Sequence, residues 1–281
     1  MKRMFSIVLA IFLSSFIGPA WAQTCGNASL NGKYVLSGQG DMYNVCILGG
    51  ICLAHSTVSS TGYIVADGNG NITSARLFQA TNSGVQDTGI VNKSAGTYSV
   101  SDCNNGTLSL TLNGQVFMFT LEVNDVDANG LAHSGEVLDA DSGHDESLQM
   151  VRTVDPAGTN ACGSGFSLNG IVTNGIERGH DNVGNPVSGV VSEVFNNGAL
   201  SGTEKKSSPS GSTTAAISGT YTINPDCSVL MTRTINGTTK TGAHMVSGGD
   251  PAALIRQHAF VWQGDWIEYE EEDEEDVPTT W

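Results

Sequence analysis

The sequence predicts an all-β protein made of two tandem antiparallel β-barrel or sandwich units, produced by internal duplication and stapled by disulfides. Three observations lead there. Of 281 residues, 35 are glycine, 39% are hydrophobic and only 14% are charged. Long helices want more charge and less glycine, and a disordered chain would lack the apolar share. Apolar and β-branched runs alternate with turn residues about every ten positions, the spacing of short meandering strands. Finally, three local patterns return once each, in the same order, in the second half of the chain.

From the N-terminus, Lys2 and Arg3 precede an apolar run from Met4 to Ile17, followed by Ala20-Trp21-Ala22. A positive start, a short apolar stretch and small residues at a cut site describe a secretory signal over 1–22, cleaved before Gln23. The protein is therefore expected to be exported, to the periplasm, the cell surface or the exterior, with no later run long enough to span a bilayer. All six cysteines follow that signal. An even count in an oxidising compartment favours disulfides over zinc, because no close Cys-x-x-Cys pair occurs.

The repeat begins with Cys25-Gly26-Asn27-Ala28-Ser29-Leu30-Asn31-Gly32, which returns as Cys162-Gly163-Ser164-Gly165-Phe166-Ser167-Leu168-Asn169-Gly170. Asp67-Gly68-Asn69-Gly70-Asn71-Ile72 is echoed by Asn196-Asn197-Gly198-Ala199-Leu200. Gly96-Thr97-Tyr98, ending in Asp102-Cys103, returns as Gly219-Thr220-Tyr221, ending in Asp226-Cys227. Each copy thus owns one cysteine at its start and one after its Gly-Thr-Tyr strand. By that symmetry Cys25 pairs with Cys103 and Cys162 with Cys227, leaving Cys46 to Cys52. Each long bridge would contribute about 4 kcal/mol in the chain-entropy account.

The units are expected over 23–154 and 155–264, with Thr153–Ala161, containing Asp155-Pro156 and Gly158, as the linker. Within them, Tyr34/Leu36 and Thr97–Val100 alternate apolar with polar. Thr107–Leu112 and Gln115–Val123 flank Asn113-Gly114, a dipeptide suited to a type I′ hairpin because both positions need positive φ. Ser228–Ile235 before Asn236-Gly237 has the same form. Lys205–Thr214 reads as an exposed loop. Asp250–Ile255, with Asp250 as cap and Pro251 in the first turn, reads as a helix start. Length over strand-plus-turn spacing gives about seven to nine strands per unit.

The Asp67–Ile72 turn and the Gly-Thr-Tyr strands ending in Asp-Cys resemble the markers of small exported bacterial β-barrel proteins, themselves broadly similar in shape to the lipocalin, avidin and allene oxide cyclase barrels. The resemblance spans roughly 25–152 and 162–262 and implies architecture, with no catalytic residue attached. The Gly-x-Trp signature of lipocalins is absent. No tryptophan lies between Trp21 and Trp262, which argues against an avidin-like pocket walled by tryptophan.

Among candidate sites, Asp125-Val126-Asp127-Ala128-Asn129-Gly130, five further residues and Glu136 fit a calcium-loop pattern, with Asp125, Asp127, Asn129, the Leu131 carbonyl and Glu136 as ligands. The flanks read as strands where an EF-hand needs helices, so a polar hairpin loop is the weightier reading. Calcium is the one cofactor the sequence offers. Asp139–Glu146 gathers acids around His144 and reads as a solvated loop, against a transition-metal site using His133 and His144. His133 and His244 share an Ala-His setting late in each copy and suggest a common structural role. No nucleophile pattern accompanies them.

The formal net charge is −16, which repels nucleic acid and anionic lipid. Nine acids crowd Asp265–Asp276, beside Trp266, Tyr269 and Trp281. The segment 265–281 is therefore expected to be an extended acidic tail outside the folded units, available to a cationic partner. Together these features predict a non-catalytic exported protein that is either a small-ligand carrier or a self-assembling extracellular subunit. The rival reading is a barrel isomerase or hydrolase with a histidine or carboxylate site.

Overall fold

The computed structural model describes residues 24–43, 46–47, 51–52, 55–81, 84–140, 144–153, 167–180, 186–245, 258–262 and 268–274. The expected signal over 1–22 and the helix start at 250–255 lie outside them, as does 154–161 of the linker. Thr153 is buried, and its N–H donates to the Lys33 carbonyl at 2.9 Å.

The first half opens with a short 3-10 turn, Asn27–Ser29. Strands β1 (Asn31–Tyr43), β4 (His55–Asp67), β5 (Asn71–Thr81), β7 (Val91–Asp102), β8 (Asn105–Leu112), β9 (Gln115–Val126), β10 (Ala132–Asp139) and β11 (His144–Arg152) each pair antiparallel with the next. Because β11 pairs back onto β1, the sheet closes into a barrel of eight strands. Between β1 and β4 the chain makes a small excursion, β2 (Cys46–Ile47) against β3 (Ile51–Cys52), whose register sets Cys46 directly opposite Cys52. β6 (Gly84–Asp87) extends the β5 edge that β7 also uses.

The second half repeats this meander. β12 (Val172–His180), β13 (Pro186–Asn196), β14 (Ala199–Ser208), β15 (Gly211–Ile223), β16 (Ser228–Ile235), β17 (Thr238–Met245), β18 (His258–Trp262) and β19 (Glu268–Glu274) form a closed barrel. The sequence markers fall at the same places in both. The Tyr98 N–H donates to the Gly70 carbonyl and the Tyr221 N–H to the Gly198 carbonyl, each at 2.9 Å. Asn113-Gly114 and Asn236-Gly237 both have positive φ, as the type I′ hairpin requires. Leu30 and Leu168 are buried at the start of each barrel. Small barrels need strands that approach closely where the sheet bends, and two matched glycines supply this. A Cβ on Gly96 would run into the Ser109 carbonyl, and one on Gly219 into the Thr232 carbonyl.

Three expectations change. Lys205–Thr214 is no loose loop: Lys205–Ser208 and Gly211–Thr214 are the paired ends of β14 and β15, in register from Lys205↔Thr214 to Ser208↔Gly211. Serine and threonine suit a pleated surface as well as a loop, and pairing decides. The acidic segment does not stand wholly apart either. Glu268–Glu274 is the strand that completes the second barrel, hydrogen-bonded to β12 on one side and β18 on the other. Ladder bonds are made by backbone groups, so a run of acids does not preclude them. The unit expected over 155–264 accordingly extends to Glu274. Last, His133 sits on the seventh strand of its barrel and is exposed, while His244 sits on the sixth strand of the other and is buried, so the two share no role.

The barrels touch wall to wall. Val35, Tyr63, Phe78 and Ala80 on the outside of β1, β4 and β5 pack with Ala243 and Met245 of β17. Arg76 crosses this seam, donating to Asp226 Oδ2 and Ser228 Oγ at 2.8 Å and to both Asp87 oxygens, at 3.0 and 2.7 Å. Lys33 donates to the Asp226 carbonyl at 2.8 Å and lies over the Tyr63 ring.

Candidate functional site

The alternation along each strand of the first barrel sends Tyr34 and Leu36 of β1, Ile64 of β4, Leu77 of β5, Leu108 of β8, Leu121 of β9 and Leu148 and Met150 of β11 into one buried apolar cluster. At the end where β1 begins, the 3-10 turn and Leu30 stop the lumen. The hydroxyl of Tyr34 donates there to the Ser29 and Ala132 carbonyls, and burial pushes its pKa up to about 12.

At the far end of β1, about 20 Å along the strand, the lumen turns polar. Glu146 follows Met150 and Leu148 on the inward face of β11, in register with Gly40. One residue pair deeper, Gly38 is in register with both Leu148 and Ser60, and Ser60 with Gln79. Glu146 is 3% exposed and Ser60 fully buried. Desolvation raises the Glu146 pKa to about 7, reinforced by the charge of Asp139 on β10 and opposed by the Ser60 hydroxyl and the Gln79 side chain. Glu146 Oε1 and Ser60 Oγ lie out of reach of solvent, and the Ser60 hydroxyl and the Gln79 side chain are the groups that hydrogen-bond the carboxyl.

The second barrel is filled differently. Leu168, Phe195, Leu200, Ile217, Tyr221 and Met231 make an apolar end, with Phe195 edge-on to Tyr221 at 5.1 Å. The middle carries charge. Arg233 donates from Nε to Glu193 Oε1 at 2.9 Å and its second amino group lies 2.9 Å from Oε2, with both side chains wholly buried. Lys206 and Glu204 form a second pair at 2.7 Å, and Lys240 and His244 are buried. Pairing offsets the cost of burying each charge.

The calcium-pattern residues lie at the β9–β10 turn. Asp127 Oδ1 accepts the N–H groups of Asn129 and Leu131, at 2.7 and 2.9 Å, and the Leu131 carbonyl accepts from Asp127 N–H at 2.8 Å. The Leu131 N–H is the main cause holding the Asp127 carboxyl below its usual range. Asp125, next to last in β9, has φ of 47°, and Glu136 lies four residues up β10 from Ala132, opposite Glu122, about 13 Å along the strand. The turn thus uses its carboxylate and carbonyl internally, and Glu136 stands away from it. Among the described residues, no group of three or more histidine, cysteine, aspartate and glutamate side chains is placed to hold a metal ion. His133 Nε2 is 3.9 Å from Asp127 Oδ2. His144 begins β11 in register with Met42.

Cys25 and Cys103 form the expected disulfide, with Cα atoms 4.9 Å apart. Cys227 is also disulfide-bonded, and Cys162 lies outside the described residues. Sequence reasoning missed Glu146, which it placed in a solvated loop over Asp139–Glu146. The signal that could have found it is the alternation of Glu146, Leu148 and Met150, which puts the acid on the apolar face of β11.

No protein-family model matches the chain, and no curated protein does. Solved structures similar to it include one designated AttH from Nitrosomonas europaea, 9% identical with a TM-score of 0.28, covering 87% of this chain and 92% of that one. Kievitone hydratase from Nectria haematococca is 9% identical with a TM-score of 0.24, covering 92% of both chains. A protein of unknown function of the DUF3598 family from Nostoc punctiforme is 12% identical with a TM-score of 0.21, covering 89% of this chain and 98% of that one. At such scores these likenesses carry no functional argument.

Proposed function

We propose that this is a non-catalytic exported carrier of a small ligand, built from two duplicated barrel units, with its ligand site at the Glu146 end of the first barrel. The observation that carries the reading is the buried Glu146 carboxyl at the end of an apolar lumen, with Ser60 and Gln79 as its hydrogen-bonding neighbours. A few placed polar groups against apolar walls is the usual make-up of a small-molecule site. The Cys25–Cys103 bridge is in keeping with export. The duplication is supported by the common strand order and by the matched Tyr98/Tyr221 and Gly96/Gly219 positions.

A second reading, assembly into a larger extracellular structure, is favoured by one feature of the second barrel. Ile176 and Val190, in register on its outer wall, are 50% and 53% exposed beside Lys205, and they line a groove of about 350 Å³. The isomerase or hydrolase reading would use the same Glu146 carboxyl, whose pKa suits acid–base work near neutrality. Native mass spectrometry of protein purified from its own source tests the proposal. A bound small molecule on the monomer, lost in Glu146→Gln, is expected. Bare monomer would overturn the carrier reading, and bare oligomer would replace it with assembly.

A further inference from the structure

We infer that copies of this protein associate head to tail. The β12–β14 wall of one molecule's second barrel docks on the β9–β10 wall of the next molecule's first barrel, repeating between molecules the seam that joins the barrels within a chain. The inference goes beyond the carrier reading and is independent of it, because both walls face away from the lumens. Its first support is the equivalence of the walls. Within the chain the first barrel contributes its first three strands, through Val35, Tyr63 and Phe78, and the second contributes its sixth, through Ala243 and Met245. That leaves uncovered the first three strands of the second barrel and the sixth of the first. The positions match. On β4, Tyr63 and Thr61 stand four and six residues before the turn marker Asp67; on β13, Ser192 and Val190 stand four and six before Asn196. Tyr63 is in register with Val35 and Arg76, and Ser192 with Asn174 and Thr203. Thr61 is in register with Phe78, and Val190 with Lys205. On the other side, Ala243 and Thr120 each stand seven residues after the asparagine of their Asn-Gly turn, in register with Val261 and Leu138.

Exposure is the second support. Among the described residues eight large apolar side chains are exposed, and six of them stand on these two walls: Ile176, Val190 and Val194 on the second barrel, Val116, Met118 and Leu138 on the first. Asn174, Ser192, Thr203 and Lys205, the counterparts of Val35, Tyr63, Arg76 and Phe78, line the groove together with Ile176 and Val190. Contiguous apolar surface of this kind marks an interaction site. Charge is the third support. Lys205 is exposed, and the outward positions of β13 and β14 hold no acid. The opposite wall offers Glu122 and Glu136, in register on β9 and β10. It also offers Asp102, which precedes Cys103 as Asp226, the seam partner of Arg76, precedes Cys227. A basic wall thus meets an acidic one, whereas either wall against its own copy would set like charges together. Because each molecule carries one wall of each kind, the contact is heterologous and propagates.

The test is sedimentation velocity of the full exported chain over a concentration series. Within a chain the two barrels are tethered at an effective concentration of about millimolar, so the untethered contact is expected to leave monomer at about 1 μM and to give dimers and longer chains towards about 1 mM. Met118→Glu and Ile176→Glu, each at an exposed side chain, should each weaken association about tenfold or more at an unchanged melting temperature. Leu138→Glu and Val190→Glu serve the same two walls if either variant fails to fold. Mixed in equal amounts, a first-barrel variant and a second-barrel variant should restore a dimer that grows no further, since each supplies the wall the other lacks. Wild-type protein that stays monomeric at the highest concentration overturns the inference. So does association retained in either variant, which would put the contact on one wall meeting itself or elsewhere, and so does a mixture that stays monomeric. Ligand carriage is read separately, by native mass spectrometry of dilute protein, so either result can fail without the other.

Discussion

Glu146 carries a consequence for stability that can be read without knowing the ligand. Its folded-state pKa is raised from 4.5 to about 7, chiefly by desolvation. Between those values the native protein holds a proton that the unfolded chain has released, so stability falls as pH rises through that window and levels off above it. The shift corresponds to about 3 kcal/mol. Chemical denaturation of ligand-free protein from pH 4.5 to 8 should show this loss, and Glu146→Gln should flatten it. An unchanged pH profile in the variant would mean that Glu146 is hydrated in solution. The acid was invisible as a site because acids in an Asp/Gly-rich stretch usually mark a loop. Only the alternation with Leu148 and Met150 betrays it.

Among the elements, the strands of the second barrel are held by a buried ion pair and by close backbone approach. Removing one partner of Glu193–Arg233, both wholly buried, leaves a charge without its counter-ion. Arg233→Met should therefore cost about 3–5 kcal/mol. The double variant Glu193→Leu/Arg233→Met should lose clearly less than the two single changes together, measured by urea unfolding. At Gly219 an added methyl would strike the Thr232 carbonyl; Gly219→Ala should destabilise by about 1–3 kcal/mol and lower the melting temperature. Hairpin turns were legible from Asn-Gly pairs because turn type is decided within two residues. Burial of Glu193 and Arg233 was not, because charged residues at alternate strand positions read equally well as a solvated face.

For the molecule as a whole, closure and docking are the matters at stake. Ending the chain before Glu268 would leave β12 and β18 each with an unpaired edge. That truncation should abolish the second barrel's cooperative unfolding and promote association through the open edges, followed by calorimetry and light scattering. A truncated protein that melts as the full chain does would show that β19 is dispensable. Arg76 is the main polar tie between the barrels, 10% exposed and paired with Asp226, itself 3% exposed. Arg76→Ala should weaken the seam by about 3–5 kcal/mol, splitting one thermal transition into two. A single transition shifted as a block would show that the apolar cluster of Phe78 and Met245 suffices to couple them.

By itself the sequence determined the strand class, the type I′ turns at Asn113 and Asn236 and the Cys25–Cys103 bridge. These depend on local backbone preference, two-residue turn chemistry and a repeat that keeps its landmarks in order. Tertiary structure alone decided that both meanders close, that the acidic run at Glu268–Glu274 serves as a strand, that Arg76 joins the two barrels and that Glu146 faces inward. Each of those depends on which distant strand supplies the neighbouring edge or wall. That choice is made by backbone pairing and burial over the whole chain, and the local pattern of residues is equally compatible with a loop, a tail or an exposed face.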